Sequence, residues 1–172
     1  KPIDGRKLEE MLAKYLPEEK VIYAKKEEEK NAEDKAAVST PAPEKNEEEE
    51  LPLFDTKLGM LYCGNFEDVY VEMLELFRDM HEETRSKLDA ELAEENWSSY
   101  TIDIHALKSN GLNIGSKRLQ SICLRLEMAG KSIKAEKNVE ESISFIKENH
   151  EKAMKIYEEV VAEAVKYLEE KK

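Results

Sequence analysis

The chain has 172 residues, of which 27 are Lys or Arg and 39 are Asp or Glu, for a formal net charge of −12. Phosphate contacts need clustered bases, so this acidic balance argues against a nucleic-acid partner. The chain has no apolar run near the roughly 20 residues of a membrane span and shows no signal peptide. We therefore expect a cytoplasmic location without membrane contact by this chain.

The first 24 residues predict one amphipathic helix. Asp4 can cap this helix and Pro17 ends it. Its apolar positions are Leu8, Met11, Leu12 and Tyr15. Together with the opening Lys1-Pro2, the segment resembles the C-terminal end of a receiver domain, its last helix included. The resemblance implies that residues 1–24 are the remnant of such a domain within a longer protein. The alternative is an ordinary helix that packs on the domain that follows.

Residues 25–50 predict a charged linker. They contain five Lys and ten Asp or Glu, together with the sequence Ser-Thr-Pro-Ala-Pro at 39–43. Low hydrophobicity, a high density of charge and proline favour a tether over a packed structure. We assign this segment no function beyond spacing.

Residues 51–96 predict a strap and two helices. Residues 51–54 are apolar and should lie against the domain, and Asp55 can cap a short helix that runs to Tyr62. Gly64 with Asn65 should end that helix. A single long helix is expected from Phe66 to about Ala93. Its predicted apolar stripe is Phe66, Val69, Tyr70, Met73, Leu76, Phe77, Met80, Thr84 and Leu88.

Three further helices complete the pattern. The first opens at Trp97, the second is capped by Ser116 and runs to about Lys134, and the third follows Asn138. Their predicted stripes are Thr101, Ile104, Leu107, Gly111 and Ile114; Leu119, Ile122, Cys123 and Leu126; and Val139, Ile143, Ile146, His150, Met154, Tyr157, Val161, Ala164 and Leu168. Four long helices with short turns predict an all-α fold, an antiparallel up-down-up-down four-helix bundle over residues 51–172. The N-terminal helix and linker are additions to that bundle.

One histidine falls outside these stripes. His105 lies one position past Ile104, about 100° further round the helix, so we expect its ring at the edge of the core or outside it. Lys108, Ser109 and Leu112 share its side of the helix. A neutral imidazole is a nucleophile near neutral pH because its free pKa is about 6.5. A phosphoryl group on it would carry roughly two negative charges, which a lysine one turn away could meet.

The run His-Ala-Leu-Lys-Ser-Asn-x-x-x-Ile-Gly that begins at His105, with Leu-Glu-x-Ala-Gly-Lys in the next helix, resembles the histidine-containing phosphotransfer (HPt) domain family. The resemblance implies that His105 accepts a phosphoryl group from a receiver aspartate and passes it to another receiver. It implies that Lys108 stabilises that group, that the small Ser109 admits the receiver, and that Gly115 closes the helix. It implies receiver docking by Ser109, Leu112, Gly115, Glu127 and Lys131.

The same resemblance implies a phosphocarrier within a hybrid sensor histidine kinase. The chain has no Gly-rich phosphate loop and no kinase signature, so we expect no ATP chemistry of its own. No metal or other cofactor is expected in this chain, because the Mg²⁺ of the reaction would belong to the partner receiver. Whether the parent protein is membrane-attached stays open.

Two features of the motif concern charge. Glu127 departs from the pattern of family members that carry a glutamine near the histidine. A carboxylate at this position would repel a phosphoryl group on the histidine. Lys131 falls where a basic residue is common. From His105 to Lys134 there are six bases and one acid, and such a basic face would attract and orient the acidic site of a receiver.

The sequence also allows two other interpretations. A metal site built on Glu-x-x-His pairs needs an acid three residues before a histidine, and no such acid precedes any of the three histidines. Those positions hold Arg78, Ile102 and Lys147. A non-catalytic docking or dimerisation bundle is the remaining alternative. It gives no reason for a histidine outside the stripe beside a lysine and a small residue.

Overall fold

The computed structural model describes residues 50–171. The helices in this range are α1 (Thr56–Tyr62), α2 (Glu67–Asp79), α3 (His81–Ala93), α4 (Trp97–Asn113), α5 (Lys117–Lys134) and α6 (Val139–Glu170). No strand occurs among these residues, which confirms the predicted all-α class. The receiver remnant predicted at residues 1–24, and all of the linker before Glu50, lie outside the described residues.

Four helical arms form the bundle. One arm is α2 followed by α3, and the others are α4, α5 and α6; α4 packs on α5, α5 on α6, α6 on α2, and α3 on α4. Their short connections give the up-down-up-down arrangement expected of such a bundle. The largest side chains sealed inside it are Tyr70, Leu74, Leu88, Tyr100, Ile104, Leu107, Ile114, Leu119, Ile122, Leu126, Ile146 and Tyr157.

The first arm differs from the single helix that the sequence predicts. It breaks at Met80, whose backbone (φ −81°, ψ −7°) separates α2 from α3. The face of α2 that packs on the core also differs from the predicted stripe. Leu74 is buried, whereas Val69 and Leu76 of the predicted stripe are exposed. Apolar residues cover both sides of α2, so helical spacing alone does not decide which side meets the core.

The predicted helix caps are partly confirmed. The Asp55 side chain accepts hydrogen bonds from the first turn of α1, and Ser116 accepts one from the Leu119 amide at the start of α5. Asn96 caps α4 in the same way through the Ser99 amide. Asn138 precedes α6 as expected, but it has a left-handed backbone (φ 46°) and its side chain makes no capping bond. These caps satisfy amides that a helix leaves without a backbone partner.

Helix α1 and the strap before it hold the turn between α4 and α5. The Asp55 amide donates to the Gly115 carbonyl at 3.0 Å, and the Tyr70 hydroxyl donates to the Ile114 carbonyl at 3.0 Å. Arg118 donates to the Leu51 carbonyl at 2.9 Å, which confirms the predicted strap. Gly115 has φ +96°, and a Cβ there would overlap the Asp55 carbonyl oxygen. Only glycine suits this turn, which fixes where α4 ends and α5 begins.

A second glycine sets the spacing between α4 and α5. A Cβ on Gly130 would overlap the Thr101 hydroxyl and lie 3.1 Å from the Thr101 Cβ. The Thr101 hydroxyl is itself held by a 2.6 Å bond to the Trp97 carbonyl, so it cannot easily turn away. The absence of a side chain at Gly130 therefore lets the two backbones approach, one turn from His105.

We predict that Gly130→Ala destabilises the bundle. Overpacking costs about 1–3 kcal/mol, whereas alanine gains only about 1 kcal/mol over glycine inside a helix, so the free energy of unfolding should fall by roughly 1 kcal/mol. Urea unfolding measures the change. The control is Gly130→Ala combined with Thr101→Ala, which should recover most of the loss. Strictly additive effects of the two substitutions would show that this contact does not set the spacing.

Candidate functional site

His105 projects from α4 beside the core rather than into it. Ile104, the residue before it, is fully buried, whereas the His105 side chain is 57% exposed. The helical-spacing argument is therefore confirmed for this ring. An exposed imidazole on a rigid helix can be reached by a second protein.

Glu127 on α5 connects the charged groups around this ring. Its Oε1 accepts from His105 Nδ1 at 2.9 Å and from Lys131 Nζ at 2.6 Å, and its Oε2 accepts from Lys108 Nζ at 2.6 Å. The Glu127 side chain is only 1% exposed. One buried carboxylate thus joins three donors from two helices.

The surroundings of Glu127 keep its carboxylate ionised. Burial raises the pKa of Glu127, but hydrogen bonds from Lys108, Lys131 and His105 outweigh that effect and lower the pKa to about 2. We call Glu127 with its donors His105, Lys108 and Lys131 the cluster. Because the pKa of Glu127 is depressed in the folded state, the cluster stabilises the bundle at neutral pH and loses that contribution as pH falls toward 2.

This ionised carboxylate selects the tautomer of His105. A carboxylate only accepts hydrogen bonds, so Nδ1 carries the ring proton that is donated to Glu127. Lys108 Nζ also lies near Nδ1, but at 3.5 Å; this ammonium group can only donate, and the shorter contact of Nδ1 with the Glu127 oxygen decides the tautomer. In neutral His105 the lone pair is therefore on Nε2, and no hydrogen bond within residues 50–171 engages that atom.

A cleft between α4 and α5 adjoins the ring. It has a volume of about 330 Å³ and is lined by Ser98, Thr101, Ile102, His105, Glu127, Lys131 and Lys134. Lys131 is 65% exposed, whereas Lys108 is 19% exposed. The cleft thus offers two cationic residues, Lys131 and Lys134, and an exposed apolar residue, Ile102, next to the imidazole.

The predicted docking residues fall into two groups. Ser109, Leu112 and Lys131 are partly or largely exposed on the two helices that carry the site. Gly115 and Glu127 are buried, and Glu127 also lines the cleft beside His105; their part in docking stays a prediction. Gly115 allows the tight turn between α4 and α5, and Glu127 accepts a hydrogen bond from the His105 ring.

The predicted basic face is less concentrated than a count of residues indicates. Lys108 and Lys131 are both paired with Glu127. Arg118 binds the strap carbonyl of Leu51, and Arg125 lies over the Phe145 ring at 4.9 Å in the groove between α5 and α6. Arg118 and Arg125 thus contact other parts of the bundle, and the charged residues close to the ring are Lys108, Lys131, Lys134 and Glu127.

Sequence reasoning did not anticipate which residues line the cleft, because the cleft depends on how α4 and α5 pack. The residues it did not place there are Ser98 and Lys134, although Lys134 was counted in the predicted basic face. Lys134 lies three positions after Lys131, so helical spacing could have indicated it as a neighbour. Nothing in the sequence pattern marks Ser98.

The other two histidines occupy different environments. His150 is buried, with Nε2 at 2.7 Å from Asp89 and Nδ1 at 3.0 Å from the Tyr100 hydroxyl. The mostly buried His81 ring meets Tyr157 edge to face at 4.7 Å. Within residues 50–171, no three His, Cys, Asp or Glu side chains come together as a metal site.

Comparison with known proteins gives a family match. The family model described as "Hpt domain" matches residues 72–169, more than half of the chain. Searches of curated proteins and of solved structures return no match. None of the helices in the described range has the length and apolar content needed to cross a membrane.

We predict that diethyl pyrocarbonate, which acylates unprotonated imidazole nitrogens, modifies His105 before the other two histidines. Nε2 of His105 is free and exposed, whereas His81 and His150 are mostly enclosed. Absorbance and peptide mass measure the rate at each residue. His105→Gln should remove the fast phase and leave the slow one. Equal rates at all three histidines would contradict the exposure described for this ring.

Proposed function

The chain belongs to the Hpt domain family, and we propose that His105 is its phosphoacceptor. Hpt domains carry out histidine phosphotransfer in phosphorelays and interact with receiver domains. In this proposal His105 takes the phosphoryl group from an aspartyl phosphate on one receiver and gives it to an aspartate on another. The observation that supports it most is the exposed ring whose Nδ1 is held by Glu127 while Nε2 is free.

The transfer uses a direct nucleophilic attack. The Nε2 lone pair attacks phosphorus, an N–P bond forms, and the P–O bond to the receiver aspartate breaks with its electron pair left on that carboxylate. Transfer onward reverses these changes at a second receiver. In this proposal the imidazole of His105 is the group of this chain that bonds to phosphorus.

Lys108 and Lys131 supply the positive charge for the phosphoryl group. Lys131 is the more exposed of the two and borders the cleft next to His105, so its ammonium group can reach a phosphate on Nε2. Lys108 is held by Glu127 at 2.6 Å, and its Nζ lies 3.5 Å from Nδ1 of the ring. Preorganised ammonium groups favour a charge that develops during transfer.

The receiver docks over the helices that carry the site. Ser109 is small and Leu112 is partly exposed one turn further along α4, so both leave room for a partner. Ile102 adds exposed apolar surface on α4 beside His105, and the core of a protein interface is typically apolar. Any Mg²⁺ of the reaction belongs, in this proposal, to the receiver that brings the aspartate.

The parent protein is proposed to be a hybrid sensor histidine kinase. The receiver-like features of residues 1–24 support a receiver domain in the same polypeptide. A phosphoryl group could then reach His105 from that domain, with residues 25–50 as the tether between them. The sequence of the full-length parent tests this assignment, and one without receiver motifs before Lys1 would contradict it.

We predict that incubation with a receiver domain carrying ³²P on its aspartate labels His105. The adduct should be acid-labile and base-stable, as an N–P bond on imidazole is. His105→Gln should lose the label, and the matched control His81→Gln should keep it, because His81 lies on another helix against Tyr157. Label that persists in His105→Gln would contradict the assignment.

We predict that Ser109→Arg slows transfer from the same receiver by about tenfold or more, because a long cation near His105 blocks close approach and disturbs charge complementarity. Ser144→Arg is the matched control, since Ser144 is exposed on α6 and its hydroxyl bonds to Glu148 on the same helix. Circular dichroism should show the same helical content in both variants. Unchanged transfer in Ser109→Arg would place the docking face elsewhere.

A further inference from the structure

We propose that Glu127 keeps the Nδ1 proton on His105 through both phosphoryl transfers, so that the phosphorylated ring is an imidazolium. This inference rests on the proposed function of His105. It assigns Glu127 a positioning role that a glutamine at the same place would not supply. Glu127 thereby has a chemical role, which is to hold the Nδ1 proton of His105.

The first argument is geometric. Nδ1 of His105 already donates to Glu127 Oε1 at 2.9 Å, and Nε2 is the nitrogen left for phosphorus. When Nε2 gives its lone pair to phosphorus, the ring becomes positively charged. Its Nδ1 proton then faces a carboxylate that is 1% exposed and cannot move away into solvent. Attraction between opposite charges at this distance favours retention of the proton.

The second argument is a balance of charge at the site. Lys108 and Lys131 each bring one positive charge, Glu127 brings one negative charge, and a phosphoryl group brings roughly two. Relative to glutamine, the Glu127 carboxylate adds one negative charge to this site, whatever other cations border the cleft, Lys134 included. That added charge favours the form of the ring with one more positive charge, which is the imidazolium. The buried carboxylate therefore changes which protonation state the phosphorylated site prefers.

Bonds and protons balance in both transfers when Nδ1 keeps its proton. In the first, Nε2 gains phosphorus and the receiver carboxylate leaves, while Nδ1 keeps its proton. In the second, a receiver carboxylate attacks phosphorus, and the N–P bonding pair returns to Nε2 of a neutral imidazole that still carries the Nδ1 proton. Neither step needs an added acid or base. A neutral phosphorylated ring would instead depart as an imidazolate anion, which is a poor leaving group.

Charged residues on both helices act on this ring. On α4, Lys108 Nζ lies 3.5 Å from Nδ1 and opposes a positive ring. On α5, Lys131 is bound to Glu127, and Lys134 borders the same cleft. These cations also attract the phosphoryl group, which offsets their repulsion of the ring once His105 is phosphorylated. Glu127 is the group among them that favours the Nδ1 proton directly.

The test uses the purified full chain with ¹⁵N-labelled histidine. Phosphoramidate, a small P–N phosphodonor, loads His105 without any receiver. Two-bond ¹H–¹⁵N spectra then report whether Nδ1 is protonated, from about pH 6 to about pH 9, around the range where histidine charge normally changes. Loss of the Nδ1 proton should need a higher pH in the wild-type chain than in Glu127→Gln. In Glu127→Gln it should occur at least one pH unit lower, about a tenfold loss of proton affinity.

A kinetic measurement accompanies the spectra. Transfer from the loaded chain to a receiver should stay nearly constant in the wild-type chain up to the pH at which the ring loses its Nδ1 proton. In Glu127→Gln the rate should fall as pH rises, because fewer rings carry the proton. Glu91→Gln is the matched control: it removes a buried carboxylate whose pKa is raised by burial and by Asp103 to about 7, away from the His105 cluster. That variant should keep the wild-type ring titration.

Two results would overturn the inference. One is the same Nδ1 midpoint in the wild-type chain and Glu127→Gln, and the other is a wild-type phosphorylated ring that is already neutral at pH 7. The second is measured on the wild-type chain alone, so it decides the matter even if Glu127→Gln does not fold. A loaded chain with a protonated ring that passes nothing to any receiver would count against the proposed function and not against this inference.

Discussion

The structure around His105 depends on one buried carboxylate with three hydrogen-bond donors. A charge removed from water is costly unless it is paired and fully hydrogen-bonded, and Glu127 meets both conditions through His105, Lys108 and Lys131. The same contacts fix the tautomer of the ring and hold two ammonium groups near it. Stability of the cluster and readiness of Nε2 are therefore two consequences of one interaction.

This interaction is possible because α4 and α5 lie close together. Gly130 has no side chain at the place where α5 meets Thr101 of α4, and Gly115 allows the tight turn that aligns the two helices. The strap carbonyl of Leu51 and the cap of α1 hold that turn from outside. The strap and α1 thus contribute to the site by fixing the relative positions of the helices that carry it.

Helical periodicity was sufficient where a helix has one apolar face. The stripe of α4 is unambiguous, so the exposure of His105 follows from its place one residue past Ile104, and the buried face of α5 is predicted equally well. Helix α2 has apolar residues on both sides, so the sequence could not select Leu74 over Leu76. The role of Glu127 could not be predicted either, because it depends on side chains 22 residues apart that meet across two helices.

The central claim is that Nε2 of His105, set free by the bond from Nδ1 to Glu127, is the atom that carries phosphorus. The most direct measurement is the ³¹P–¹⁵N coupling in the phosphorylated chain with ¹⁵N-labelled histidine, since coupling identifies the bonded nitrogen. The account predicts coupling to Nε2 of His105. Coupling to Nδ1 of that ring, or to a nitrogen of His81 or His150, would contradict it.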